Sequence, residues 1–325
     1  MRALFLASLL LAGLVTSGWL VAQRISLSPQ APAEPEAAAG TPEPKIRETE
    51  ERDLQGPAPA QPAAELDTAT RALAKRAEEA RVKGDQPEEA LALSRWVAKI
   101  LESNSDGWQK TTDSRSRIAV INTALWFAPK GTFRSEFVEP GPLSKILKAL
   151  RTRKPAVRAG LGLVMKMNQI SDANRVPGGR KLRVPVDSLE VIVHKNSKAL
   201  ELRLGEYLLE CWRIGIGKPV SPTPTGSFEI QEIVKLDVAE RSATRWVRPE
   251  DGRELFFGDP EYPFGTRFLR FSEPYQHYGI HGTDTDAAIG AEISHGCVRM
   301  RNEDVAELAS YLDSAGAARF QVHIH

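Results

Sequence analysis

Near the C-terminal end of the chain, Gly-Ile-His-Gly-Thr (279–283) is followed closely by Ile-Ser-His-Gly-Cys-Val-Arg-Met-Arg-Asn-Glu-Asp (293–304). The thiolate is the nucleophile in cysteine chemistry, and an imidazole, backbone N–H groups and a helix N-terminus all lower a thiol pKa. Cys297 has a histidine two positions before it, an arginine two after, and a run beyond that reads as the start of a helix. It is the candidate nucleophile. His295 is too near in sequence to meet the sulfur head-on and is read as a support. His281 is separated by a loop, residues 283–293, long enough to bring the chain back, and is the candidate base that takes and returns the proton. Gly296 lets the backbone bend so that the amides of His295, Gly296 and Cys297 converge on a developing oxyanion. Ser294 and Arg299 are the candidate substrate-binding residues: Ser294 also braces the loop, and Arg299 suits a carboxylate. Arg301 reads as solvent-facing. Asp284 and Asp286 are rival orienters of the base, although loop carboxylates are usually solvated. With neither an HExxH nor a CxxC spacing, His281, His295 and Cys297 are not read as metal ligands, and no cofactor is expected.

These groups need a scaffold of strands. Leu189–His194 and Ala199–Leu204 flank a Lys-Asn-Ser-Lys turn, and Tyr207–Gly217 comes next as a strand carrying Cys211 among packing residues. His194, at a strand end, reads as exposed. Pro-rich 218–226 turns into the strand 226–234. Residues 235–266 lack periodicity and read as a flap over the site. Short strands around 268–271 and 278–282 then deliver His281. Asn302 is a plausible N-cap, with Glu303 and Asp304 in the first turn of a helix through Val305, Leu308, Ala309 and Leu312, and Phe320–His325 alternates as a closing strand.

The order of histidine, loop and Ser-His-Gly-Cys-Val-Arg, with Ser-Pro-Thr-Pro-Thr-Gly (221–226) upstream, closely resembles the catalytic motif of the L,D-transpeptidases (YkuD-like). The resemblance covers about 189–325. It implies a mostly β, sandwich-like fold with a helix after the cysteine motif. It also implies that the backbone carbonyl of Gly282 orients His281. The implied reaction is attack of the Cys297 thiolate on the L-centre carbonyl of diaminopimelate in a peptidoglycan stem tetrapeptide. D-alanine leaves, and the thioester passes its acyl group to an amine, as a 3→3 cross-link or a protein attachment. An L,D-carboxypeptidase, with water as acceptor, and a non-catalytic wall-binding protein are the alternatives. Acylation of Cys297 by carbapenem-type β-lactams is implied as well.

The remainder divides by composition. Residues 1–26 hold an apolar run, Ala3–Ala22, behind Arg2, expected to be a signal peptide or a membrane anchor; either exports the protein to the periplasm or cell envelope, the latter holding it at the inner membrane. Residues 27–63, rich in Pro, Ala and Glu, read as a disordered linker with a coil dimension of about 35 Å. Residues 64–130 read as a helical, tetratricopeptide-like module: Leu66, Ala69, Leu73, Ala77 and Ala80 make a stripe, Asp85 and Glu88 a capping box, and Ser114–Phe127 a third helix. Residues 132–187 are similar to a LysM domain, a small βααβ glycan-binding module, through Asn168, Ile170, Asn174, Gly179, Leu182 and Pro185. Pro142 stands where that family has Asp, and Met167 where it has Leu. The catalytic domain takes 188–325. With 43 basic and 42 acidic residues the net charge of +1 argues against nucleic-acid binding by phosphate neutralisation. The expected partners are stem peptides and glycan strands. Only two cysteines, Cys211 and Cys297, are present, and a disulfide between them would silence the nucleophile.

Overall fold

A computed structural model describes residues 66–127, 136–138, 141–153, 160–174, 176, 182–185, 187–236, 245–248, 251–283, 285–312 and 320–325. The N-terminal apolar run and the linker lie outside the described residues, within which no helix is long and apolar enough to cross a membrane.

Four helices come first: α1 (Thr68–Lys83), α2 (Gln86–Ser103), α3 (Gly107–Lys110) and α4 (Thr112–Asn122), the last running into a π turn to Phe127. Asp67 caps α1 by accepting the Thr70 N–H (2.6 Å), and Asp85 caps α2 by accepting that of Glu88 (3.3 Å). The apolar stripe of α1 differs by one position from the expected one, because Thr70 is buried and Ala69 exposed. Val97 and Leu101 of α2 and Ile118 of α4 bury against Ala199 and Leu208 of the sheet, so the helices are packed on the strands. The expectation that His194 is exposed is corrected by its burial. It is only 3% exposed and lies 3.4 Å from Glu201, which is fully buried and accepts from Arg203 Nε at 2.9 Å. Arg203 in turn donates to the Ser94 carbonyl of α2 (2.7 Å).

Next come β1 (Glu136–Val138), α5 (Leu143–Arg153), α6 (Leu161–Asn168) and β2 (Leu182–Val184), with β1 and β2 paired antiparallel. Buried Asn168 joins α6 to β2: its amide donates to the Arg183 carbonyl (2.6 Å) and its oxygen accepts the Arg183 N–H (2.8 Å). Gly179 lies outside the described residues.

The remaining strands are β3 (Leu189–His194), β4 (Ala199–Leu204), β5 (Tyr207–Arg213), β6 (Ile216–Gly217), β7 (Gly226–Lys235), β8 (Trp246–Val247), β9 (Glu254–Leu255), β10 (Arg267–Phe271), β11 (Gly279–Thr283), β12 (Glu292–Ser294), β13 (Val298–Arg301) and β14 (Phe320–Ile324). Eight of them form one ladder in the order β13-β11-β10-β7-β14-β3-β4-β5, with β11–β13 and β14–β3 parallel and the other pairs antiparallel. The domain is mostly β with a helix beside it, and one hydrogen-bonded ladder runs through eight of its strands. Alternation reveals that a strand has two faces without revealing its neighbour. Helix α7 (Asn302–Leu312) closes one face with Val305, Leu308 and Leu312, all fully buried. Each such side chain contributes about 1.5–3 kcal/mol relative to exposure.

The α6 segment is joined to α7. The Gly160 N–H donates to the Tyr311 carbonyl (2.7 Å), and Lys166 Nζ donates to Glu210 (3.0 Å) and Glu307 (3.2 Å). A Cβ on Gly160 would fall on that Tyr311 carbonyl. Gly160→Ala is therefore expected to cost about 1–3 kcal/mol. Urea unfolding with an unchanged midpoint would count against this joint.

Candidate active site

Parallel pairing sets His281 of β11 beside Arg299 of β13, and Ile280 beside Val298. Side chains alternate along a strand, so Ile280, Val298 and Met300 enter the core with α7, while His281 and Arg299 share the other face, with Cys297 one step before β13. These three line one cleft of ≈ 690 Å³ with Ser294 and His295. The loop that returns the chain thus unites the residues singled out by spacing. Cys297 leads directly into a strand, and the helix begins only at Asn302. The helix N-terminus therefore lies one short strand beyond the sulfur.

His281 is only 2% exposed. Its Nδ1–H donates to the Gly282 carbonyl at 2.8 Å, which leaves Nε2 with the lone pair. Phe264 meets the ring edge-on (centroids 4.8 Å, 89°), and Phe268 lies 5.9 Å away. Burial pushes the imidazole pKa down to about 4; the Gly282 carbonyl opposes this and Arg299 reinforces it. Both cysteines are free. Burial raises the Cys297 thiol to about 11, against the pull of a Gly279 backbone hydrogen bond and of Arg299. The thiol donates to the His277 carbonyl over 3.8 Å. At neutral pH the site thus holds a neutral thiol and a neutral imidazole, contrary to the lowered thiol pKa expected from neighbouring residue types. Tertiary burial outweighs them.

The loop before Cys297 is built on Gly296, whose φ of 113° favours glycine. The Ser294 hydroxyl accepts the Gly296 N–H (3.1 Å) and donates to the Cys297 carbonyl (2.6 Å). This brace removes Gly296 from the expected oxyanion donors and commits Ser294, 1% exposed, to the loop. His295 is exposed, and its Nε2 lies 3.2 Å from Lys218 Nζ, which can only donate. Arg299 is half-buried with no carboxylate partner among the described residues, and its Nε is buried without a hydrogen bond. Arg301 is exposed and lies 3.5 Å from Asp286, whose side chain is 90% exposed; Asp284 lies outside the described residues. Cys211 is held as an un-ionised thiol by burial and the Glu201 charge.

The region expected to be a flap holds the β8–β9 hairpin, and Trp246 and Phe264 of this region both line the cleft. Their rings contact each other (5.8 Å, 83°). Sequence reasoning named neither, although the aromatic density of 256–264 was a usable signal.

A thiol and a neutral imidazole on one sheet face, walled by aromatic rings and faced by a guanidinium with no carboxylate partner among the described residues, suit acyl transfer to and from sulfur. The profile of YkuD, an L,D-transpeptidase catalytic domain, matches residues 188–324. The Bacillus subtilis protein YkuD, described as an L,D-transpeptidase, is 32% identical over 164 residues, which is 50% of this chain and 78% of that one. Its namesake in Bacillus licheniformis is 31% identical over 180 residues, 53% and 90% of the two chains. The Escherichia coli protein YbiS, described likewise, is 46% identical over 45% of this chain and 51% of its own. Among solved structures, an L,D-transpeptidase from Mycobacterium smegmatis matches at 18% identity and TM-score 0.31, over 46% of this chain and 64% of that one. The chain belongs to the L,D-transpeptidase family, with its YkuD catalytic domain at 188–324.

Proposed function

We propose that the protein cross-links peptidoglycan through Cys297. As the sulfur attacks the L-centre carbonyl of diaminopimelate in a donor tetrapeptide, its proton passes to Nε2 of His281. The same proton goes to the amine of D-alanine when the carbon–nitrogen bond breaks. An acceptor amine then attacks the thioester, gives a proton to His281 and restores the thiol. The observation that carries this reading is the common cleft of His281, Cys297 and Arg299, with the Nδ1–H of the base already committed to Gly282. With Gly296 bonded to Ser294, the amides of His295 and Cys297 are the remaining candidates for the oxyanion.

Purified protein incubated with tetrapeptide muropeptides should release D-alanine and yield dimers by mass spectrometry. Absence of release overturns the proposal, and release without dimers makes the enzyme a carboxypeptidase. Arg299 is assigned to a substrate carboxylate because its charge has no partner among the described residues. Arg299→Met is expected to raise KM for the tetrapeptide about 10- to 100-fold, the loss of a charge-assisted hydrogen bond, with Arg299→Lys in between. Equal KM values would remove this role.

The β1-α5-α6-β2 order and the Asn168 bridge support a LysM-like reading of 132–187, with glycan strands as the partner. An exported enzyme of the cell envelope, held by or released from the membrane through residues 1–26, fits the same substrate.

A further inference from the structure

The Gly282 carbonyl that orients His281 is itself held from the far side. It accepts the Gly265 N–H at 2.8 Å as well as Nδ1–H at 2.8 Å. The next amide, Thr266 N–H, donates to Oδ1 of Asn302 at 2.9 Å. A Cβ on either Gly265 or Gly282 would fall on that oxygen, so the Asn302 amide is wedged between the two glycines. Across the turn, the Thr266 carbonyl accepts the Leu236 N–H (3.1 Å), which pins 265–266 to the end of β7. Asn302 directly follows β13, the strand that begins beside Cys297. One short strand thus carries the nucleophile at its start and, at its end, the side chain that locks the support of the base.

We infer that Asn302 is a positioning residue: through the Thr266 and Gly265 amides it fixes the plane of the Gly282 carbonyl, and so the Nδ1–H tautomer and the ring orientation of His281. This rests on the reading of His281 as base. It departs from a purely local role as the N-cap of α7, because the Oδ1 contact spans 36 positions of sequence. A carbonyl free to turn would let the imidazole rotate or exchange tautomers, and a misplacement of about 1 Å at a reacting group costs on the order of 100-fold.

Serine caps helices as well as asparagine does but is too short to reach Thr266, and aspartate keeps an acceptor oxygen at the right length. The first-order rate of Cys297 acylation by a carbapenem is followed by intact mass for wild type, N302S and N302D. The tautomer of His281 is read in the resting proteins by NMR of 15N-labelled histidine. N302S is expected to acylate about 10- to 100-fold more slowly at saturating carbapenem, with little change in half-saturation. It should give a mixed tautomer signal, while N302D returns to within about 3-fold of wild type. An N302S protein that matches wild type in rate and tautomer overturns the inference. So do N302S and N302D proteins that slow equally, in step with lost thermal stability. A wild-type protein that takes no adduct sinks the acylation reading instead, and the tautomer spectra still decide the role of Asn302.

Discussion

Cys297→Ala is expected to take no carbapenem adduct and to release no D-alanine, with a rate loss of about five to six orders of magnitude, as when an enzyme loses its nucleophile. The wild-type protein should gain a single adduct, and Cys211→Ala should still gain one. The contrast between the two thiols is physical. Cys211 is half-buried beside Glu201, whose charge, with desolvation, opposes a thiolate. Cys297 is also raised, to about 11, but a Gly279 backbone hydrogen bond and Arg299 both favour its ionised form, and the cleft it lines also contains His281. A thiol at about 11 is ionised to roughly one part in ten thousand at neutral pH. Iodoacetamide should therefore alkylate resting Cys297 slowly at pH 7, far more slowly than a substrate that recruits the base. An adduct that persists in Cys297→Ala, or disappears in Cys211→Ala, would assign the chemistry elsewhere.

His281→Gln should lower the acylation rate by about a thousand- to ten-thousand-fold, and it should also change the shape of the pH profile. With burial holding the imidazole at about 4, the wild-type base is already neutral across the working range, so its acylation rate should be flat above roughly pH 5. Without the base, attack requires prior loss of the thiol proton, and the residual rate should climb about tenfold per pH unit toward the thiol value near 11. Stability carries the same signature. The unfolded chain protonates this histidine near 6.5 and the folded one only near 4, so the contribution is complete above 6.5 and is lost as pH falls through 4. It amounts to roughly 3 kcal/mol. Thermal melts across this window should lose less in His281→Gln than in wild type. A wild-type acid limb centred at 6.5 would contradict the buried neutral base.

How much of this site is legible without coordinates varies with the range of the interaction. Residue types at Cys297, His281, His295 and Arg299, the glycine before the sulfur and the loop length that returns the chain are all local, and they suffice to name the candidate nucleophile and base. The capping of α2 by Asp85 and the helical face of α7 are equally local, since each depends on neighbours within one or two turns.

Misreadings arose where distant segments meet. His194 looks exposed at the end of a hairpin strand but is buried beside Glu201 of the next strand. Asn302 reads as a helix cap, yet its oxygen lies against a turn far earlier in the chain. The titration of the site is the sharpest case. The amino-acid pattern by itself determined which residues are the candidates for the chemistry, Cys297 as nucleophile and His281 as base, because residue type, spacing and a flexible glycine are properties of the sequence. Only the tertiary structure decided that burial disfavours the charged form of both, because the rings laid against His281, those of Phe264 and Phe268, come from positions distant in the sequence.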